Sequence, residues 1–200
     1  MCREFIEIRE EVLTFDTHDQ DVWVGGDKTL VPEEFRDDPR FAKSPRSHFL
    51  EMSAVNHYRA GGYRCLPSVW YELWSKSASR KPWVERGAAE LEAFVGPELE
   101  SFRKIVGPQV EKIAKAPDIV VWRAEPRRLL FCAVKQKNET VSQPEFAGLA
   151  LVKAHLGADV RILRYCELGD FRDPRRWKVR CPGVPTVSGF ERHDIQKVEE

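Results

Sequence analysis

An acid and a lysine stand at the ends of two neighbouring apolar runs in the middle of the chain. Asp118 precedes the first run, Ile119–Trp122, and Lys135 closes the second run, which begins at Leu129. The polar residues between the runs predict a turn, so we expect the two runs to pair as a β-hairpin. At the open end of such a hairpin, a carboxylate can bind a divalent cation and a lysine can orient or activate a water for hydrolysis.

The register of the hairpin decides which side chains meet. A turn centred near Pro126 predicts that Asp118 lies opposite Lys135, with their Cβ atoms roughly 4.5–5.5 Å apart. Position 133 shares a face with position 135, because side chains alternate along a strand. An acid at 133 would complete a pair of metal-binding carboxylates, but the chain has Ala133 there. Taken alone, the hairpin is also compatible with a salt-bridged pair that has no catalytic role.

Two acids after the hairpin are candidates to replace the missing carboxylate. Ser142-Gln143-Pro144-Glu145 predicts a helix start with Ser142 as N-cap, and Glu145 is the first candidate. Glu139, in the polar loop before it, is the second. Each acid also has an explanation without a catalytic role. Glu145 can be the acid of the capping box, and Glu139 can be a solvated charge of the loop.

The elements around the hairpin predict an α/β or α+β fold, with a mixed central sheet flanked by helices. Hydrophobic spacing and breakers divide the chain into a peripheral acidic segment (1–46), a core (47–166) and a basic C-terminal extension (167–200). The predicted elements are short strands at 5–8 and 22–24, a helix at 47–60, a strand at 63–66, helices at 85–94 and 98–106, the hairpin, a helix from Ser142 to a stop at Gly157, and a strand at 159–165.

Composition predicts a water-soluble domain of ordinary size. The chain has 200 residues, 42% hydrophobic and 32% charged. No apolar run approaches the roughly 20 residues that span a bilayer, so we expect no membrane partner. The five cysteines are scattered without a C-x-x-C pair, which disfavours a zinc site or a disulfide framework and favours a reducing cytoplasm.

Charge is divided unevenly although the net charge is zero. Residues 1–102 hold 13 Lys and Arg against 19 Asp and Glu, and residues 103–200 hold 19 against 13. The basic half predicts a phosphate-binding surface with Phe171 and Trp177 for base stacking; a solvated basic face is the alternative. Residues 1–38, with 12 acids against 4 basic residues, suggest a third hypothesis, an interaction or inhibitory module whose acids shield the basic half or mimic DNA. The basic cluster consists of Arg161, Arg164, Arg172, Arg175, Arg176, Lys178 and Arg180.

These motifs together resemble the PD-(D/E)xK nuclease superfamily and are most similar to its VRR-NUC group. The likeness covers residues 47–165 and rests on the order and spacing of short motifs. They are a helix with Glu51 followed by Gly62-Tyr63, then Pro117-Asp118, Ala133-Val134-Lys135, a polar loop and helix with Gln143, and Gly157-Ala158-Asp159-Val160-Arg161.

The resemblance implies a restriction-endonuclease-like fold and a divalent-metal-dependent nuclease. Asp118 would be a metal ligand, Lys135 the catalytic lysine, and Glu51 a helical acid near a bound Mg²⁺ or Mn²⁺. Glu145 would serve as catalytic acid and metal ligand, as in relatives whose glutamate has moved to the next helix. Gln143 matches as a polar residue at the mouth of the site. Nucleic acid, above all DNA, would be the partner, and many relatives act as homodimers. Ala133 departs from the family pattern. If neither Glu145 nor Glu139 replaces the missing acid, the resemblance implies a nucleic-acid-binding fold that does not cleave, because too little negative charge remains to hold Mg²⁺ beside Lys135.

Overall fold

Seven strands form one mixed sheet in the computed structural model, which describes residues 5–38, 48–74, 81–110 (108–110 by backbone alone), 114–180 and 195–198. Five α-helices accompany the sheet in these ranges, together with 3-10 turns at Glu33–Phe35 and Ser68–Trp70. In chain order the elements are β1 Phe5–Phe15, α1 Thr17–Val24, α2 Phe49–Ala60, β2 Arg64–Pro67, α3 Pro82–Val95, α4 Pro97–Val110, β3 Ile119–Arg123, β4 Arg128–Gln136, α5 Gln143–Leu156, β5 Asp159–Glu167, β6 Arg176–Arg180 and β7 Ile195–Val198.

The strand order is β2-β3-β4-β5-β1-β6-β7, which confirms the predicted mixed α/β class. Strands β2, β3 and β4 pair antiparallel, as do β1, β6 and β7. The central pairs β4–β5 and β5–β1 are parallel. Parallel neighbours require a crossover connection, and α5 supplies it between β4 and β5. The hairpin and α5 therefore lie together beside the centre of the sheet.

The N-terminal strand lies inside the sheet, so the prediction of a peripheral segment is wrong for Phe5–Phe15. It pairs with β5 on one side and β6 on the other. Ile6 and Ile8 alternate into the core, with Glu7 exposed between them. The several acids of the strand gave the segment a solvated appearance in sequence. Because β1 is an interior strand, residues 1–38 are not a detachable acidic shield. Strands β6 and β7 likewise extend the same sheet beyond the predicted boundary at 167.

Two further element predictions need correction. The stretch 22–24 belongs to helix α1, whose N-cap Asp16 accepts a hydrogen bond from the backbone N–H of His18. The predicted cap at Ser47 falls outside the described residues, and α2 begins at Phe49 with His48 as its N-cap.

No helix in the described parts of the chain combines the length and the apolar character needed to cross a membrane.

The β3–β4 hairpin forms as predicted, but its register differs by two residues. The observed pairs run from Arg123↔Arg128 to Ile119↔Cys132, which centres the turn one residue earlier than expected. One further step along this register places Asp118 across from Ala133. The predicted pairing of Asp118 with Lys135 is therefore wrong, because a register is fixed by the turn that closes it.

Helix α5 begins with the predicted capping box. The side chain of Ser142 bonds to the backbone of Glu145, and the Glu145 carboxylate accepts the N–H of Ser142 at 2.9 Å. The helix ends at Gly157, whose left-handed φ of 64° suits glycine, as predicted. Buried residues line most of α5, as expected of a helix packed between other elements. At Gly148 the helix approaches another chain segment so closely that a Cβ would overlap the carbonyl oxygen of Lys115.

The close approach at Gly148 predicts that a larger residue at this position destabilises the fold. Alanine in place of glycine inside a helix usually stabilises it by up to about 1 kcal/mol. Here we expect Gly148→Ala to lower the free energy of unfolding by about 1–3 kcal/mol, because the added methyl group displaces the backbone at Lys115. Urea denaturation followed by circular dichroism measures the change. A variant as stable as the wild type would contradict the contact.

Candidate active site

The predicted site residues meet at a small pocket beside the open end of the hairpin. Its volume is about 230 Å³. Asp118 enters it from the start of β3, Lys135 from the end of β4, and Glu51 from the first turn of α2. The lining residues are Gln20, His48, Phe49, Leu50, Glu51, Lys115, Asp118, Val134, Lys135, Gln136 and Glu139.

Glu145 joins this group through two lysines. Its Oε1 atom lies 2.7 Å from the Nζ atom of Lys135 and 2.7 Å from that of Lys115. Lys115 also reaches Asp118 Oδ1 at 3.2 Å. The Asp118 and Glu145 oxygens are thus separated by at most the sum of the two Lys115 distances, 5.9 Å. Glu139 approaches Lys135 from the loop, at 3.0 Å. Both acids named as replacements for the one missing at Ala133 therefore reach the lysine.

The two lysines keep Glu145 ionised. Burial would raise the pKa of Glu145, but hydrogen bonds from Lys115 and Lys135 outweigh burial and lower that pKa to about 2. Burial would likewise lower the pKa of Lys135, and the carboxylates of Glu145 and Glu139 raise it instead. The side chains of Lys135 and Glu145 are each only 6% exposed, so their ion pair is shielded from solvent.

The pKa of Asp118 is raised, whereas that of Glu145 is lowered. Burial raises the pKa of Asp118, and the negative charge of Glu51 adds to this effect. Part of the rise is offset by the backbone N–H of Val134, which donates to Asp118 Oδ2 at 2.8 Å, and by Lys115. Burial alone would also raise the pKa of Glu51. A hydrogen bond with His48, at 3.3 Å, lowers that pKa below its usual value instead. Asp118 is thus a half-buried carboxylate whose negative charge would be stabilised by an additional cation.

The donor set fits a hard cation that keeps part of its water shell. Mg²⁺ is commonly bound through one or two carboxylates, with waters and substrate phosphates completing its six oxygen ligands. Asp118 and Glu51 offer such oxygens in the pocket, and Glu145 offers another within 5.9 Å of Asp118. Within the described ranges, no group of three or more His, Cys, Asp or Glu side chains is arranged to hold a metal by itself. A metal here would depend on water and substrate for the rest of its shell.

Lys115 is the site residue that sequence reasoning missed. It stands three residues before Asp118, and only this proximity in Lys115-Ala116-Pro117-Asp118 gave a signal. The packing of α5 against the chain before β3 gives Lys115 its role, because that contact brings its ammonium group to Glu145. No periodicity or motif in the sequence indicates such packing.

Two arginines predicted to bind nucleic acid are instead paired with acids of β1. The Arg164 side chain is 3% exposed and lies 2.9 Å from Glu10, so the prediction is wrong for Arg164. Arg161 is partly exposed and forms an ion pair with Glu11. The uneven charge of the two chain halves is thus partly neutralised inside the fold.

Two of the remaining predicted binding residues, Gln143 and Arg175, lie in a groove beside the pocket. Arg175, Arg176 and Gln143 are exposed. A groove of about 780 Å³ contains Gln143, Arg175 and the half-buried ring of Trp177, and it shares Glu139 with the pocket. Gln143 therefore lies next to the mouth of the candidate site, as the sequence suggested, but does not line the pocket itself.

Comparison with known proteins gives a distant structural likeness. No family model matches the chain, and no curated protein matches it. Among solved structures, the chain is similar to Hjc, a Holliday junction resolvase from the archaeal hyperthermophile Archaeoglobus fulgidus. The identity is 16% and the TM-score is 0.34, with 76% of this chain and 86% of the resolvase chain covered. A likeness at this level assigns no activity to the chain.

The low pKa of Glu145 predicts how stability depends on pH. Because the folded-state pKa is about 2 and the ordinary pKa of the side chain is 4.5, the stabilisation is complete above pH 4.5 and is lost as pH falls towards 2. We expect Glu145→Gln to lower the free energy of unfolding by about 1–3 kcal/mol at pH 7, since two ammonium groups lose a partner. The difference from wild type should shrink steadily below pH 4.5.

Urea denaturation at pH 7, 4.5 and 3 measures this difference. Glu125→Gln, which neutralises an exposed acid of the hairpin turn, is the matched control and should leave stability unchanged at all three values. A Glu145→Gln deficit that stays constant down to pH 3 would contradict the assignment.

Proposed function

We propose that the protein is a divalent-metal-dependent nuclease of the PD-(D/E)xK type, most similar to the VRR-NUC group, in which Glu145 replaces the acid missing at Ala133. The observation that carries the proposal is the linked set of Asp118, Lys135 and Glu145, joined through Lys115 by contacts of 2.7–3.2 Å. The segment before β3, the end of β4 and the first turn of α5 contribute these groups, so three separate parts of the chain bring their charged side chains together.

Each side chain has a distinct part in phosphodiester hydrolysis. Asp118 and Glu145 would hold Mg²⁺ or Mn²⁺, with Glu51 as an additional acid at the pocket. When bound, the metal would stabilise developing negative charge and supply an activated water. Lys135, held between Glu145 and Glu139, is positioned to orient a water or to neutralise charge on the phosphate.

The groove beside the pocket supports nucleic acid as the substrate. Arg175 supplies positive charge for the phosphate backbone, and Trp177 offers a ring face for stacking. DNA is the proposed partner. Cutting both strands of a duplex would need two active sites, which a homodimer would provide.

Cleavage assays with substitutions test the proposal. We expect Mg²⁺- or Mn²⁺-dependent cleavage of single-stranded, duplex, nicked or branched DNA, or of RNA, by the wild type. Asp118→Asn, Lys135→Gln and Glu145→Gln should each reduce the rate about a hundredfold or more. Absence of cleavage by the wild type on the whole substrate panel with either metal would refute the nuclease proposal.

The exposed ion pair Lys153–Asp159 provides matched controls. It joins α5 to the start of β5, and its Asp159 pairs with Leu130, five residues along β4 from Lys135. This corresponds to about 16 Å along the strand. Lys153→Gln and Asp159→Asn remove the same charges as the site variants and should retain wild-type rates.

A second candidate function is nucleic-acid binding without cleavage. The observation in its favour is that Lys115 and Lys135 already neutralise the acids that a metal would need. A wild type that binds DNA, but neither cleaves it nor binds Mn²⁺, would favour this function.

Both candidate functions predict a salt-dependent DNA affinity. Arg175→Gln and Arg176→Gln should each weaken binding, and each should reduce the slope of log K against log salt by about 1 for every phosphate that the arginine neutralises in the wild type. Filter binding at several salt concentrations measures the slope. Arg128→Gln removes an exposed arginine at the far end of β4 and is the control. Equal slopes in all variants would exclude this surface as the binding face.

A further inference from the structure

We propose that Lys115 is a built-in counter-cation at the candidate metal site, and that its ammonium group must move aside before a divalent cation can bind. The inference rests on the proposed function, because it concerns the same pair of carboxylates. It goes further by naming the residue that sets the metal affinity of the free protein.

The position of the ammonium group is the first argument. Lys115 Nζ lies 3.2 Å from Asp118 Oδ1 and 2.7 Å from Glu145 Oε1. It therefore bridges two carboxylates that come from different elements. A divalent cation shared by the same two oxygens would occupy the same space, so the lysine and the metal exclude one another.

The backbone of Lys115 is fixed, which makes this position a property of the fold. Its N–H donates to the carbonyl oxygen of Pro144 at 2.9 Å. Its own carbonyl oxygen packs against Gly148, where any side chain would collide with it. Both contacts are made with α5, the helix that carries Glu145. The side chain of Lys115 therefore starts from a fixed point beside the two acids.

The side chain itself is free to leave. Lys115 is 51% exposed, whereas the Lys135 side chain is 6% exposed. A half-exposed lysine can exchange its carboxylate partners for water without leaving a buried charge unpaired, and breaking the two ion pairs is the cost that the metal must overcome. Departure of Lys115 would leave Glu145 still bound to Lys135 at 2.7 Å, so the other lysine of the site keeps its place.

The charge balance at the pocket gives the direction of the effect. Asp118, Glu51, Glu139 and Glu145 face two lysines there, and loss of Lys115 leaves one more negative charge uncompensated. Metal binding must break both Lys115 ion pairs, and the displaced ammonium group, still tethered beside the pocket, repels the dication, so we expect the two effects together to lower the affinity about tenfold. A neutral residue at position 115 should therefore strengthen metal binding.

Mn²⁺ binding to the full-length chain tests the inference without relying on activity. The fraction of free Mn²⁺ is measured by electron paramagnetic resonance in a titration without nucleic acid. We expect Lys115→Gln and Lys115→Met to bind Mn²⁺ at least about tenfold more tightly than the wild type. Lys115→Arg, which keeps the charge, should bind as weakly as the wild type. Adding Asp118→Asn to Lys115→Gln should abolish the gain.

Two neutral variants and a folding check make the outcome decisive. If both fold as the wild type does in thermal unfolding and bind Mn²⁺ no more tightly, the proposal is overturned. Loss of the fold in both variants would make Lys115 a structural residue and would overturn it equally. Tighter Mn²⁺ binding without cleavage by any variant would support the role of Lys115 while the nuclease proposal fails. Cleavage by the wild type, together with unchanged Mn²⁺ affinity in the neutral variants, would support the nuclease proposal and overturn the role of Lys115.

Discussion

The close packing of α5 against the chain before β3 is the constraint on which the candidate site depends. Gly148 has no side chain, so the helix can rest directly on the backbone of Lys115. The Pro144 carbonyl accepts the Lys115 N–H and fixes the same contact from the first turn of the helix. Asp118 follows three residues later, and Glu145 follows Pro144. One backbone contact therefore brings two acids that are distant in sequence to the same ammonium group, that of Lys115.

A buried ion pair supports the other side of the site. Arg164 on β5 pairs with Glu10 on β1, and both side chains are nearly inaccessible to solvent. The same guanidinium group donates to the carbonyl oxygens of Gln136 and Glu139, in the loop that leads from β4 to α5. A buried pair adds little net stability, but loss of one partner leaves a costly unpaired charge. The N-terminal strand thus helps to position the loop that carries Glu139.

The acids of the site differ in their electrostatic surroundings. Glu145 is held ionised by two ammonium groups, which lower its pKa to about 2. For Asp118, burial and the nearby charge of Glu51 raise the pKa, and Lys115 offsets only part of that rise. Carboxylates whose pKa values are driven apart by their environment are typical of functional sites. The site is therefore built around one fixed ion pair and one carboxylate whose charge is incompletely stabilised.

The sequence determined the local elements and the identity of most site residues. The hairpin, the capping box of α5, the stop at Gly157 and the mixed α/β class follow from side-chain periodicity, capping and turn chemistry, which act over a few residues. Asp118, Lys135 and Glu139 were selected by residue type and position, and Glu51 by the family resemblance. All four line one pocket.

Only the tertiary structure decided how these residues meet. The hairpin register, the interior place of β1, the burial of Arg164 and the bridging position of Lys115 all depend on contacts between distant segments. The acidic β1 resembled a solvated arm because its charges find their arginine partners only in the folded sheet. Lys115, which links Asp118 to Glu145, belongs to no sequence motif. Its position depends on the packing of α5 against its backbone, and the one sequence feature that this packing requires is the glycine at position 148.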